Sequence, residues 1–307
     1  MIGRVRKIAG NDYAVDAGGA IYHCRFRGRL KKEVHSGGKL AAVGDEVEFT
    51  PTGAGEGVIE KVLPRRSKLS RADVHRPNRE QVIVANVDTL LVVQAARDPD
   101  FSDLIADQCT VMAAAHRLPC VLVVNKCDLG EPDLAAYERA GYRTVRASAR
   151  DGRGLGELRE ILRGRVSVLL GPSGVGKSSL LNALEPGLNL KVGEVSRHGE
   201  GRHTTTWVEL LPVAGGLAVD TPGLEFFTLW GVTPENLKDH FLDFAELAGR
   251  CRFRDCSHTV EAGCAVREGA APSRYRNYLA LRERLRTRRS AFEEPSPGGQ
   301  DFPRRGR

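Results

Sequence analysis

The stretch Gly171-Pro172-Ser173-Gly174-Val175-Gly176-Lys177-Ser178-Ser179 fits the spacing G-x-x-x-x-G-K-[ST]. Glycines at these positions let backbone N–H groups close around phosphate oxygens at the start of a helix. Lys177 is placed to reach β- and γ-phosphates, and Ser178 to ligate Mg²⁺. The context is the required one, an apolar run RVSVLL before the loop and a helical run after it.

The phosphate loop alone does not choose a base. Asn125-Lys126-Cys127-Asp128 does, directly after the apolar run CVLVV. The Asp128 carboxylate can accept from both N1–H and the 2-amino group of guanine, donors that adenine does not offer in that arrangement. Lys126 can lie along the base, and Asn125 can tie this loop to the phosphate loop. Ser148-Ala149, after the run RTVR, is placed to present backbone N–H to guanine O6. Asp220-Thr221-Pro222-Gly223 ends the run GLAVD; Asp220 suits Mg²⁺ through water, and the Gly223 N–H suits a γ-phosphate contact. Of Thr204, Thr205 and Thr206, which precede it, one is expected to close on Mg²⁺, and Thr205 is chosen here. Many GTP hydrolases orient the attacking water with a Gln just after the Gly of D-x-x-G. Leu224 stands there instead and cannot hydrogen-bond. His203 is the nearest group in sequence that could hold the water, with Arg202 or a group from a partner as rivals.

A second constellation is Cys251-x4-Cys256-x-His258-x5-Cys264. Three thiolates and an imidazole make a closed set, typical of one structural zinc with no coordination position left for chemistry. The remaining cysteines, Cys24, Cys109, Cys120 and Cys127, are scattered.

These residues need a scaffold, and the pattern supplies three kinds. Residues 1–67 hold short β-rich runs parted by Gly-rich turns, which suit a small closed barrel of the OB type. In Arg25-Phe26-Arg27-Gly28-Arg29 alternation puts the arginines on one strand face. Residues 68–231 alternate strand-like and helix-like runs, the mark of a parallel α/β domain, with Ser102 capping the helix that follows TLLVVQ. Residues 232–290 read as a helical, zinc-binding domain. Thr233-Pro234-Glu235 opens one helix with the stripe Leu237, Phe241, Phe244 and Ala248, and Ser273 caps a last, arginine-rich helix. Residues 291–307 read as a disordered basic tail.

Of the 307 residues 41% are hydrophobic and 28% charged, ordinary globular values. No apolar run approaches the ~18 residues of a membrane span, and the first residues lack a secretory apolar stretch, so a cytoplasmic location and no membrane partner are expected. Net charge is +7. Residues 1–40 carry nine Lys/Arg against three Asp/Glu, and residues 274–307 ten against four. Basic ends on a near-neutral middle point to a polyanion such as nucleic acid.

The order of the nucleotide motifs is reversed: the guanine-reading loop precedes the phosphate loop. A wound parallel sheet tolerates such a cut and rejoining, because the loops still meet at one sheet edge. Small barrel, permuted motifs and Cys-x4-Cys-x-His-x5-Cys together resemble the RsgA (YjeQ) family of bacterial GTPases dependent on the small ribosomal subunit, over roughly residues 1–290. The resemblance implies an OB-fold, a circularly permuted GTPase domain and a zinc domain. It also implies hydrolysis of GTP to GDP, stimulated by the small subunit late in its maturation, with rRNA contacts. A monomer is expected.

Overall fold

The computed structural model of the chain describes residues 1–28, 40–73, 79–190, 208–220 and 229–293. His203, Arg202, Thr204 to Thr206, Thr221 to Leu224, Arg29 and the tail from residue 294 lie outside them.

Five strands close into a barrel: β1 (Ile2–Ala9), β2 (Asp12–Ala17), β3 (Ala20–Phe26), β4 (Glu46–Gly53) and β5 (Glu56–Val62), in the order β1-β2-β3-β5-β4. Alternation does the sorting. In β3, Cys24 and Phe26 point inward while Arg25 between them is exposed. Arg27 lies just past the strand, 2.9 Å from Glu60. A hairpin follows that the sequence reading did not anticipate, β6 (Lys68–Ala72) paired with β7 (Glu80–Ala85).

The central sheet contains β8 (Thr89–Ala95), β9 (Cys120–Asn125), β10 (Arg143–Arg146), β11 (Val166–Leu170), β12 (Leu211–Val213) and β13 (Gly216–Asp220). Their order is β10-β9-β8-β11-β13-β12, all parallel except β12, which pairs antiparallel with β13. β8 is buried along its whole length, as a run of apolar residues covered on both faces must be. Leu90 and Val92 face one core with α1 (Asp103–Ala115), while Leu91, Val93 and Ala95 face another with α3 (Leu155–Leu162) and α4 (Lys177–Leu184). Ser102 caps α1, accepting from the Ile105 N–H at 3.5 Å. A short α2 (Ala135–Arg139) lies between β9 and β10.

The C-terminal part departs from the expected single helix. Thr233 Oγ1 accepts from the N–H of Glu235 and Asn236, Leu237–His240 form one 3₁₀ turn, and Phe241 is extended at φ −98°, ψ 110°. Only then does α5 (Leu242–Ala248) begin. The break turns Phe241 so that it stacks on Phe244 at 4.8 Å and meets Tyr278 edge-on at 5.7 Å. After α6 (Ala265–Gly269), α7 runs from Pro272 to Glu293. Pro272 thus holds the first helical position, where its missing N–H costs nothing, and Ser273 is inside the helix rather than its cap. The helix also passes residue 291, where the tail was expected to begin.

At the junction with the sheet, Arg274 of α7 is wholly buried. Its guanidinium chelates Asp243 of α5, with Nε to Oδ2 at 3.0 Å and Nη2 to Oδ1 at 2.7 Å, and its Nη1 meets Asp107 of α1. Asn277 Nδ2 donates to the other Asp107 oxygen at 2.7 Å. Tyr137, Tyr142 and Phe241 each place a ring centroid 5.2 Å from the guanidinium carbon. Among the described residues, no helix is long and apolar enough to cross a membrane.

Candidate functional site

The parallel strands β8, β9, β10, β11 and β13 all deliver their carboxyl ends to one edge, where open α/β sheets hold ligands. Asn125 ends β9 and is 2% exposed. Its Nδ2 donates to Val175 O at 2.9 Å, and its Oδ1 accepts from the Ala149 N–H at 3.2 Å. One side chain therefore joins Asn125–Asp128, Ser148-Ala149 and the phosphate loop. Gly176 is required beside it: φ is +89°, and a Cβ there would stand 2.4 Å from Asn125 Nδ2. At Gly171 a Cβ would stand 1.9 Å from Val93 O, so only glycine lets β11 turn so close to β8.

Ser148 is fully buried and spends its hydroxyl three ways. It donates to Asp128 Oδ1 at 2.8 Å and accepts from the Arg150 and Asp151 N–H groups, each at 3.2 Å. The carboxylate is held in one rotamer, with Oδ2 on its outer side 3.8 Å from the exposed Arg150. Cys127 is buried; its Sγ donates to Val124 O at 3.1 Å, and burial raises its thiol above the usual range. It is a packing residue of the loop. The Lys126 ammonium donates to Asp98 O. The sequence reading missed that contact. The signal available was position alone, since Asp98 follows the carboxyl end of β8.

In the phosphate loop, the Lys177 ammonium donates to the carbonyls of Gly171 and Pro172, both at 2.9 Å. Pro172, Ser173, Gly174 and Val175 complete the turn between β11 and α4, and Ser179 sits in the first turn of α4 beside Ser178. The Ser178 hydroxyl donates to Asp220 Oδ2 at 2.6 Å, while Asp220 Oδ1 is buried with no hydrogen-bond partner among the described residues. A serine hydroxyl beside an orphaned carboxylate oxygen is a donor set that fits a hard cation such as Mg²⁺.

The second site is a cage. Donor atoms of Cys251, Cys256, His258 and Cys264 all lie within 4.8 Å of one another and could hold a metal ion. His258 Nδ1 faces Cys264 Sγ at 3.5 Å and Cys251 Sγ at 3.6 Å. Burial, with the neighbouring thiols Cys264 and Cys251, pushes Cys256 up to about 12. Cys251 is held below the usual thiol range, against its burial, by backbone N–H groups of Val266 and Ala265. Burial and the Lys238 charge lower His258, favouring the neutral ring that ligates. Mutual repulsion of close thiolates is what a divalent cation relieves, so the set fits one. Its surroundings are braced: Tyr275 and Tyr278 donate to the carbonyls of His258 and Ser257 at 2.9 and 2.6 Å.

Comparison with known proteins places the chain in a family. Residues 62–230 match the RsgA GTPase family and residues 2–59 the RsgA N-terminal domain. The chain is 42% identical over 306 residues to a protein of Chlorobaculum tepidum named small ribosomal subunit biogenesis GTPase RsgA, covering 93% of this chain and 98% of that one. A Thermotoga maritima protein of the same name is 40% identical over 280 residues, covering 87% and 90%. The crystal structure of YjeQ from Thermotoga maritima superposes with a TM-score of 0.74 at 36% identity, covering 92% of this chain and 98% of that one. YloQ, described as a circularly permuted GTPase, gives 0.71 at 27% identity, covering 94% and 95%. With a barrel, a permuted nucleotide edge and a Cys/His cage all in place, the chain belongs to the RsgA family and is a GTP hydrolase.

Proposed function

We propose that this GTPase acts in maturation of the small ribosomal subunit, with the subunit as activator and rRNA against its basic barrel and C-terminal ends. The observation that carries the nucleotide part is Asn125, which bonds to both Ala149 and Val175 and so makes one site of loops in permuted order. The names of the relatives carry the ribosomal part.

Asp128 reads guanine, with Lys126 along the base and the Ser148-Ala149 backbone at O6. The backbone of 171–176 takes the phosphates. Lys177 releases the carbonyls of Gly171 and Pro172 and turns to the β- and γ-phosphates, exchanging two neutral acceptors for charged ones. Ser178, Asp220 and Thr205 would hold Mg²⁺, which supplies positive charge for the phosphate oxygens. Gly223 donates to the γ-phosphate and His203 orients the attacking water.

Turnover of GTP by the full chain, alone and with small subunits, large subunits or tRNA, tests the reading. Small subunits alone are expected to accelerate it, and equal rates in all four would sink the ribosomal role. His203→Ala is expected to bind GTP and the subunit normally but lose most of the acceleration; full acceleration would move the water-holding role elsewhere.

The cage would hold one structural Zn²⁺, its binding energy being part of the folding energy of residues 232–290. Metal analysis should find about one zinc per wild-type chain and none in Cys256→Ala, together with loss of the C-terminal packing in near-UV circular dichroism. A metal-free, folded wild type would refute it.

A further inference from the structure

Strand β1 pairs with β2 at Val5↔Val15 and next at Lys7↔Ala14, so Arg6 is the extra residue of a β-bulge. A bulge takes a residue out of its ladder and re-aims it. Here the freed groups go to the other domain. The Leu210 N–H donates to Arg6 O at 2.9 Å, and Arg6 Nε donates back to Leu210 O at 2.8 Å. Arg6 Nη1 is meanwhile held by Asp16 of β2 at 2.8 Å. The neighbouring pair repeats the contact: Lys7 and Glu209 form a β-bridge, with their charges 2.7 Å apart.

What Arg6 grips is close to the chemistry. Leu210 is fully buried and runs directly into β12. β12 pairs with β13 at Leu211↔Ala218, and β13 ends at Asp220, which accepts from Ser178. Two strands therefore separate the barrel from the phosphate side of the nucleotide site. The pattern is not one that surface packing requires. The ion pair of Lys7 and Glu209 is about two-fifths exposed and contributes little. The Arg6–Leu210 exchange is mostly buried and uses a backbone irregularity placed where the two domains touch.

We propose that Arg6 is a positioning residue that couples the barrel to the phosphate edge, so that what the barrel holds and whether a γ-phosphate is present are felt at each other's site. This rests on the reading of Ser178 and Asp220 as the phosphate-side pair. Coupling of this kind is reciprocal. A γ-phosphate that shifts Asp220 must then alter β1, and a polyanion that shifts β1 must alter the phosphate edge.

Hydrogen exchange on the full chain tests the coupling without any partner. The chain is compared with GDP and with a non-hydrolysable GTP analogue, each with Mg²⁺. In the wild type, exchange is expected to differ between the two states both in residues 208–220 and in residues 2–9. In Arg6→Ala the difference in 208–220 remains and that in 2–9 is diminished, because only the backbone bond from the Leu210 N–H to Arg6 O and the Lys7–Glu209 bridge are left. Arg6→Lys keeps a charge beside Asp16 but cannot serve Asp16 and Leu210 together, and it should behave the same way. It also answers the objection that the alanine variant is merely misfolded. A wild type in which 208–220 responds and 2–9 does not overturns the coupling, as does an unchanged response in both variants. If neither segment responds, the phosphate-side reading fails and the coupling with it.

Kinetics add a second readout. With small ribosomal subunits present, Arg6→Lys is expected to lower kcat about tenfold with KM for GTP unchanged. An unchanged kcat would overturn the proposal for catalysis. A wild type indifferent to subunits would strike only the ribosomal reading, leaving the exchange result to decide the coupling.

Discussion

Asp128→Asn is expected to exchange the enzyme's base: GTP binding falls by about 10- to 100-fold, and xanthosine triphosphate becomes the preferred ligand. The carboxylate offers guanine two charge-assisted bonds, each worth about 1.5–3 kcal/mol, and an amide can supply only one of them. Ser148 decides which way the new amide points. Its hydroxyl already accepts two backbone N–H groups, so its proton must go to an acceptor at position 128. In the variant that acceptor is the amide oxygen, which leaves the NH₂ on the outer side to donate to the 2-carbonyl of xanthine. Competition binding with the two triphosphates measures the change. Retained preference for GTP would remove Asp128 from the base-reading role.

Arg274→Ala is expected to cost about 3–5 kcal/mol and to release the C-terminal helices from α1. The guanidinium is the shared counter-charge of Asp107 and Asp243; Asp107 is fully buried and Asp243 only 15% exposed, so water compensates the first not at all and the second only in part. Removing it strands two negative charges in one pocket and empties the space between three aromatic rings. Lysine should not rescue, since one ammonium cannot chelate Asp243 and meet Asp107 together. Arg274→Met with Asp107→Asn and Asp243→Asn should recover most of the loss, because no charge is then left unpaired. Denaturant unfolding followed by near-UV circular dichroism measures it. A loss below about 1 kcal/mol in Arg274→Ala would mean that water or rearranged side chains replace the arginine.

How much of this was legible depended on whether the cause was local. The phosphate loop, Asn125–Asp128 and the four zinc-type ligands are short patterns whose chemistry needs few residues at fixed spacing, and each could be read directly. The barrel was legible because alternation over Ile2–Val62 is itself the signal for a sheet with one face inward. Arg274 was not. It lies among six other arginines in residues 274–289, and nothing nearby in sequence distinguishes it. Its partners are 31 and 167 residues away. The break at Phe241 escaped for the same reason. The helical stripe Leu237, Phe241, Phe244 was real as a burial pattern, but the aromatic contacts with Tyr278 pull Phe241 out of helical geometry. The β6–β7 hairpin and the antiparallel β12 are short edges set by what they pair with, not by their own residues.

The sheet order has a consequence for synthesis. Chain order and spatial order agree but for the last two strands: β8 comes first, β9 and β10 are added outward on one side, and β11, then β13 with β12 outside it, fill the other. No strand has to be inserted between two that are already joined. A chain emerging from the N-terminus can finish half the sheet by Arg146, including the Asn125–Asp128 loop, before any of the 171–178 loop exists. Until β11 arrives at Val166, the apolar strand Thr89–Ala95 has one side without a neighbour. An open apolar edge of that kind is a site for wrong pairing. The nascent protein thus passes through a stage in which Asn125–Asp128 is made but Val175, the phosphate-loop partner of Asn125, is not, and the open edge of β8 is then without cover.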